Sequence, residues 1–188
     1  SYRKWSGISG ISSATKKTDS FVIKQKTKTF EEYEALFEDA QRRKISYLLS
    51  AEEKTKDFLP LFSQAEELLD KDYADYQPIP ESLSALINLD KEEITKKRRE
   101  NAKILLSELE DLPQITPMLQ ITSKQDVPLF VPILTDSSVR DALRKFLIEN
   151  QIYCPVHWPL SQMHQGISEK GLELYRSQLS LVCDQRYD

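Results

Sequence analysis

Lys4 has the clearest chemical context of any lysine in the sequence, because Arg3 precedes it and Trp5 follows it. A lysine amine attacks a carbonyl only when it is deprotonated and held in place, and a neighbouring cation lowers its pKa toward that state. Lys4 is therefore a candidate for covalent catalysis. From spacing alone, an ordinary surface lysine remains the alternative.

The segment CPVHWPL, residues 154–160, is a second place in the sequence where chemically reactive side chains lie close together. His157 and Trp158 lie between two prolines, which predicts a rigid, exposed turn, and such turns often carry residues that contact a ligand. We interpret His157 and Trp158 as candidate substrate-binding residues. A packed tryptophan beside a hydrogen-bonded histidine is the alternative that the sequence leaves open.

Four residues, Cys154, His157, His164 and Cys183, supply the ligand types of a zinc site. Structural zinc sites draw their ligands from two close pairs, whereas Cys183 has no partner two to four residues away. A nucleophilic pair of Cys154 and His157 lacks a third residue to orient the base. We therefore predict no metal site and two free thiols.

Composition limits the classes of partner. The 188 residues carry a formal net charge of -4, and only four of them are glycine. A nucleic-acid-binding surface needs an excess of positive charge, so no nucleic acid is expected. No apolar run approaches the roughly 18 residues that span a bilayer, and no signal peptide opens the sequence. We expect a globular cytoplasmic protein without a membrane partner.

The first half of the sequence is dominated by helical periodicity. A short strand is predicted at Phe21–Lys24, and a helix is predicted from Thr29 to Ser50, opened by a capping box at residues 29–32. A second capping box at residues 50–53 precedes another helix, in which Pro60 predicts a bend or a late start.

A proline-bearing linker at Tyr73–Pro80 and a short apolar turn follow these two helices. Asp90 is the predicted N-cap of a third helix that runs to about Asp111. Arg98 and Asn101 fall beside its apolar stripe, which indicates either a partner surface or aliphatic stems on the core with polar heads in water.

The second half changes to a strand-like pattern. Residues 115–123 and 127–136 predict two neighbouring antiparallel strands, and residues 136–138 are predicted to cap the next helix. Residues 152–156 predict a third strand, residues 168–177 a short helix and residues 179–183 a fourth strand. The order predicts an α+β fold: a small antiparallel or mixed sheet of about four strands with helices packed on one face, preceded by two or three long helices.

Several blocks, in this order, resemble the later portion of DegT/DnrJ-type aminotransferases of fold type I. The blocks are SYRKW, KKRRENAKILLSELEDL, DVPLFVPILTDSSVRDALRKFLIENQIYCPVHWPL and LSLVCDQRYD. The resemblance implies a junction segment at residues 1–28, with the Lys4 loop and a short strand. It also implies a small C-terminal aminotransferase domain at residues 29–188, whose first part is helical.

The resemblance further implies that Lys4 binds pyridoxal 5'-phosphate covalently and carries the proton in transamination. His157 and Trp158 would then lie on the substrate side of the pocket. The implied substrate is a keto-sugar or a similar small carbonyl compound, and the implied partners are a large catalytic domain of the same protein and a second copy in a homodimer. We expect this chain to be part of a longer protein and to be inactive alone.

One departure from the family pattern keeps a second function open. The family has a glycine pair shortly after the lysine, whereas Gly7 and Gly10 are separated here. The alternative is a non-catalytic, degenerate relative that acts as an interaction module. Whether the full-length parent is an enzyme stays open at this point.

Overall fold

The computed structural model describes residues 3–8, 10, 11, 13, 28–50, 55–72, 76–157, 160, 161, 164 and 166–187, with backbone alone at residues 3 and 4. Residues Ser1–Leu89 and Asp90–Asp188 form two compact units. The strand predicted at Phe21–Lys24, the capping box at residues 50–53 and Trp158 lie outside the described residues. No described helix is long and apolar enough to cross a membrane.

The first unit contains four described helices. They are α1 Arg3–Ser6, α2 Glu31–Leu49, α3 Phe58–Lys71 and α4 Pro80–Ile87. Helix α2 confirms the long helix predicted in this region, but the capping box at its start is wrong. Phe30 occupies the N-cap position without a side-chain cap, and the Thr29 hydroxyl instead donates to the Glu31 carboxylate at 3.4 Å. Thr29 stands one residue too early to reach the third helical amide.

Helices α2 and α3 pack through aromatic rings. Tyr33 and Phe37 of α2 are buried, and Phe37 meets Phe62 of α3 edge-on with ring centroids 5.2 Å apart. Ala65 of α3 is fully buried in the same apolar cluster as Tyr33 and Phe37. The apolar spacing read from the sequence therefore selects the face that each helix buries.

Two proline positions mark helix starts. Pro60 is the third residue of α3, so the late start predicted for this helix is confirmed. Pro80 is the first residue of α4, a helix that occupies the region predicted to be a short apolar turn. Both positions are compatible with proline because amides in the first helical turn have no intrahelical partner.

In the second unit, the residues that the structure describes form three helices and three strands. They are α5 Lys91–Leu109, β1 Thr116–Pro117, β2 Phe130–Leu134, α6 Arg140–Glu149, α7 Glu169–Ser177 and β3 Gln178–Val182. Asp90 caps α5 as predicted, because its carboxylate accepts from the Glu93 amide at 2.9 Å. The strands form one antiparallel sheet in the order β1, β2, β3.

The core of the second unit lies on one face of this sheet. Val131 and Ile133 of β2 are opposite Leu181 and Leu179 of β3, and paired residues of antiparallel strands share a face. This face packs with residues of α5 and α6, including Ala102 and Leu109 of α5 and Leu143 and Leu147 of α6. The α+β fold class is confirmed.

The number of strands differs from the prediction of about four, since the described residues form three. Residues 152–156 are not a strand. Pro155 lacks an amide hydrogen for a ladder. The carbonyl of Cys154 accepts instead from the Arg144 guanidinium at 3.2 Å, and its side chain enters the core. The segment therefore contributes packing rather than strand pairing.

The cap predicted at residues 136–138 is also wrong. Helix α6 begins at Arg140, with Val139 at the N-cap and no side-chain cap. Asp136 instead accepts from the Ser138 hydroxyl at 2.6 Å and from the Ser138 amide at 2.8 Å, one turn before the helix. These two hydrogen bonds hold the pKa of the Asp136 carboxyl below its usual value.

Candidate functional site

Lys4 lies on α1, a helix of four residues near the start of the described chain. The loop after this helix turns at Gly7 and again at Gly10, whose φ angles are +76° and +61°. These angles fall in the left-handed region that glycine adopts without a steric penalty. The two separated glycines of the sequence are therefore two separate turns of the loop.

The loop after Lys4 is attached to α2. The Gln41 side-chain amide donates to the Gly7 carbonyl over 2.6 Å. At Gly10, a Cβ atom would overlap the carboxylate of Glu34, a residue that is only 6% exposed. Ile11, the next residue, is also buried. Residues on α2 thus contact the loop at two positions, seven residues apart on the helix.

His157 is half-buried and packs against Phe130, the first residue of β2. The two ring centroids are 4.7 Å apart and the rings are tilted by 54°. The histidine ring is therefore oriented by an aromatic neighbour on the sheet. Its role in substrate binding stays a prediction, and so does that of Trp158, which lies outside the described residues.

The second histidine, His164, is exposed and hydrogen-bonds with Ser161. Its Nδ1 atom accepts from the Ser161 amide at 3.0 Å and lies 3.1 Å from the Ser161 hydroxyl. The His164 amide donates in turn to the Ser161 carbonyl at 3.0 Å. These reciprocal hydrogen bonds are a local pairing of a side chain with nearby backbone.

Both cysteines are free and buried in the core of the second unit. Burial raises the pKa of the Cys154 thiol, although a main-chain hydrogen bond from Val182 acts in the opposite direction. Burial also raises the pKa of Cys183, to about 11. A raised pKa keeps each sulfur protonated at neutral pH, which is the opposite of what a nucleophile or a zinc ligand needs. Within the described ranges, no group of three His, Cys, Asp or Glu residues is arranged to hold a metal ion.

Arg98 and Asn101 do not face a partner surface, and their polar heads are not in water. Arg98 is 2% exposed and Asn101 9%. One Arg98 nitrogen donates to the Leu129 carbonyl at 3.4 Å. Burial lowers the pKa of the Arg98 guanidinium, and the negative charge of Asp184 opposes that effect.

Asn101 connects α5 to the turn that follows β3. Its side-chain amide donates to the Asp184 carbonyl at 2.9 Å and to the Tyr187 carbonyl at 3.0 Å. Sequence reasoning missed this contact. The available signal was an asparagine placed beside a helical apolar stripe, since a buried polar side chain requires hydrogen-bond partners.

Comparison with known proteins gives one family match. The model of the DegT/DnrJ/EryC1/StrS aminotransferase family matches residues 82–179, just over half of the chain. Comparison with curated proteins gives no significant match.

Two of the solved structures that match parts of the chain are aminotransferases. One is the aminotransferase TlmJ from Streptoalloteichus hindustanus, at 21% identity and a TM-score of 0.47, covering 57% of this chain and 29% of that one. The other is Helicobacter pylori PseC, described as an aminotransferase involved in the biosynthesis of pseudoaminic acid. It is 21% identical with a TM-score of 0.46, covering 69% of this chain and 42% of that one. The match therefore spans less than half the length of either protein.

Proposed function

The chain belongs to the DegT/DnrJ/EryC1/StrS aminotransferase family, and on that premise we propose that its full-length protein is an aminotransferase dependent on pyridoxal 5'-phosphate. The observation that carries the proposal is the family match over residues 82–179, which includes most of the second compact unit. We propose that residues 1–28 are the junction segment and residues 29–188 the small domain. The proposed substrate is a keto-sugar or a similar small carbonyl compound, and we assign the protein to the cytoplasm.

The fit to this cofactor rests on the chemistry of the available donors. Pyridoxal phosphate supplies an aldehyde, which reacts with a primary amine, and a ring that accepts electrons from the substrate carbon. Lys4 carries a primary amine and lies on α1. We assign to its Nζ atom the covalent attachment and the movement of a proton from the substrate α-carbon.

The remaining contacts of the cofactor are assigned to a large domain of the same protein. We propose that this domain supplies the groups that hold the phosphate and the ring nitrogen, and that two copies of the protein form a homodimer. On this proposal the 188 residues do not transaminate by themselves, because an amine without those groups has no means to orient the ring.

We assign substrate contact to His157 and Trp158. Support comes from the packing of His157 on Phe130, which fixes the imidazole plane at the start of β2. A ring held in one orientation loses little conformational entropy when it contacts a small polar substrate. The assignment of Trp158 depends on its position next to His157 in the sequence.

Absorbance titration of the full-length protein with pyridoxal phosphate tests the function. We expect the wild-type protein to shift the visible absorbance band of the cofactor and Lys4→Ala to abolish that shift. Lys103→Ala is the matched control, because Lys103 is exposed on α5 in the other compact unit. An unchanged band shift in the Lys4→Ala protein would contradict the role of Lys4.

A non-catalytic interaction module is the second candidate function. Large aliphatic side chains remain exposed in the first unit, with Leu49 at 83% and Ile87 at 73%. Exposed apolar side chains of this size favour association with a partner. This candidate is preferred if the full-length protein neither binds the cofactor nor transfers an amino group to any carbonyl acceptor.

A further inference from the structure

We propose that Gln41 is a positioning residue for Lys4, acting through the Gly7 carbonyl, with Glu34 as a second support beneath Gly10. The inference rests on the proposed role of Lys4 as the amine that binds the cofactor. Gln41 itself touches neither the reacting atoms nor the substrate. It fixes the loop that begins where the lysine-bearing helix ends.

The first support is the hydrogen bond between Gln41 and Gly7. Gly7 directly follows Ser6, the last residue of α1, and stands three residues after Lys4. Its carbonyl accepts from the Gln41 amide at 2.6 Å, across 34 residues of sequence. A helix of four residues has little stability of its own, so its orientation depends on contacts such as this one.

The second support is the close approach of Gly10 to Glu34. The positive φ of Gly10 suits glycine, and a Cβ atom at this position would overlap the Glu34 carboxylate. Glu34 and Ile11 are both buried. The loop therefore passes close to the Glu34 carboxylate at Gly10, where the positive φ already favours glycine.

The spacing of the two supports is consistent with a single attachment surface. Glu34 and Gln41 are two helical turns apart on the same face of α2, a separation of about 10.5 Å along the axis. The three residues from Gly7 to Gly10 span at most about 11 Å when extended. Gly7 is therefore next to Gln41 and Gly10 next to Glu34, an order opposite to the chain direction of α2.

Fixing the loop matters because a reacting amine must be held at the correct distance and angle. A misplacement of about 1 Å can cost roughly a hundredfold in rate. Loss of the Gln41 hydrogen bond leaves α1 and its lysine less restrained, while the aromatic core between α2 and α3 is unaffected. Reactivity of Lys4 should therefore fall without loss of the fold.

The test uses the full-length protein, pyridoxal phosphate and borohydride. The lysine nitrogen forms a double bond to the aldehyde carbon, and water leaves with the aldehyde oxygen and two amine protons. Borohydride then delivers hydride to that carbon, and a solvent proton goes to the nitrogen. Mass spectrometry measures the rate at which Lys4 is labelled relative to Lys103, an exposed lysine of α5, in the same sample.

Two substitutions separate the hydrogen bond from simple packing. Gln41→Glu keeps the shape of the side chain and removes the donor, and we expect Lys4 labelling to slow about tenfold to a hundredfold. Gln41→Arg keeps an N–H donor of similar reach and should recover most of the rate. Glu38→Gln, at an exposed position of the same helix, is the control and should label at the wild-type rate.

The outcomes distinguish this inference from the function on which it rests. If wild-type Lys4 is labelled no faster than Lys103, the proposed function fails. If wild-type Lys4 is labelled preferentially and Gln41→Glu leaves that preference unchanged, the positioning role of Gln41 is overturned. It is also overturned if Gln41→Arg is as slow as Gln41→Glu while both proteins keep the wild-type melting temperature.

Discussion

The side-chain amide of Asn101 on α5 donates to the main-chain carbonyl of Asp184 over 2.9 Å, joining residues 83 positions apart. The same amide donates to the Tyr187 carbonyl at 3.0 Å. One buried asparagine therefore fixes the turn after β3 onto the longest helix of the second unit. Buried carbonyls without such donors would be costly, since desolvation of a polar group is offset only by a hydrogen bond.

We expect Asn101→Ala to lower the free energy of unfolding by about 1–3 kcal/mol, because two carbonyls lose a donor in a partly buried place. Equilibrium denaturation in urea measures this change. Lys103→Ala, at an exposed position of the same helix, is the control and should shift the free energy by less than about 0.5 kcal/mol. Equal stabilities of the two variants would show that the turn is held by other contacts.

The Asp184 carboxylate, in the same turn, predicts that the protein loses stability in acid. Burial alone would raise the pKa of Asp184, but hydrogen bonds from Arg186 and the positive charges of Arg186 and Arg98 outweigh burial and hold the pKa below its usual value. A carboxylate whose pKa is lower in the folded state stabilises the fold above the unfolded pKa, near about 4. That contribution is lost as the pH falls through the folded-state pKa.

We expect Asp184→Asn to cost about 1–3 kcal/mol at pH 7 and to flatten the fall in stability below about pH 4. Urea denaturation between pH 2 and 7, at constant ionic strength, measures both effects. Asp111→Asn, at an exposed position just after α5, should keep the acid dependence of the wild-type protein. An Asp184→Asn protein with the wild-type pH profile would refute the assignment.

The buried thiol of Cys183 predicts that the protein also loses stability as the pH rises into the alkaline range. Its pKa is raised to about 11 because the thiol is buried, and the protonated form is therefore the one that the fold stabilises. This stabilisation is complete below the unfolded pKa of about 8.5 and is lost as the pH rises through the folded value. We expect a loss on the order of 1–3 kcal/mol across that interval.

The measurement compares wild-type and Cys183→Ala proteins by urea denaturation from pH 7 to 11. The difference in free energy of unfolding between them should shrink as the pH rises, because only the wild type has a thiol to ionise at this position. Lysines and tyrosines titrate in the same range, and they affect both proteins alike. A difference that stays constant with pH would show that folding does not raise the pKa of this thiol.

Local patterns in the sequence predicted several elements well. The apolar spacing between Tyr33 and Ala40 predicted α2, and the Asp90–Glu93 pair predicted the start of α5. Helix α7 and strands β2 and β3 also lie where their patterns placed them. These features depend on residues within one or two turns of one another, where side-chain spacing and capping act directly.

Predictions from local patterns were wrong where the same side chain or backbone group makes a different contact nearby. Thr29 and Asp136 both have the side chain of a helix cap, but each is used in a hydrogen bond just before the helix. Residues 152–156 have a strand-like composition, yet Cys154 uses its carbonyl and side chain elsewhere in the second unit. A short polar side chain has several partners within reach, and only the surrounding backbone selects one of them.

By itself, the sequence determined the α+β class, the order of the principal elements and the resemblance to the aminotransferase family. These features depend on apolar periodicity and on the order of sequence blocks, which can be read directly from the residues. Only the tertiary structure decided that Asn101 meets Asp184 and that Gln41 meets Gly7, contacts that join residues 83 and 34 positions apart. Such pairs have no local signature. They form because folding brings buried polar groups together, and each group must then find a partner among whatever lies next to it.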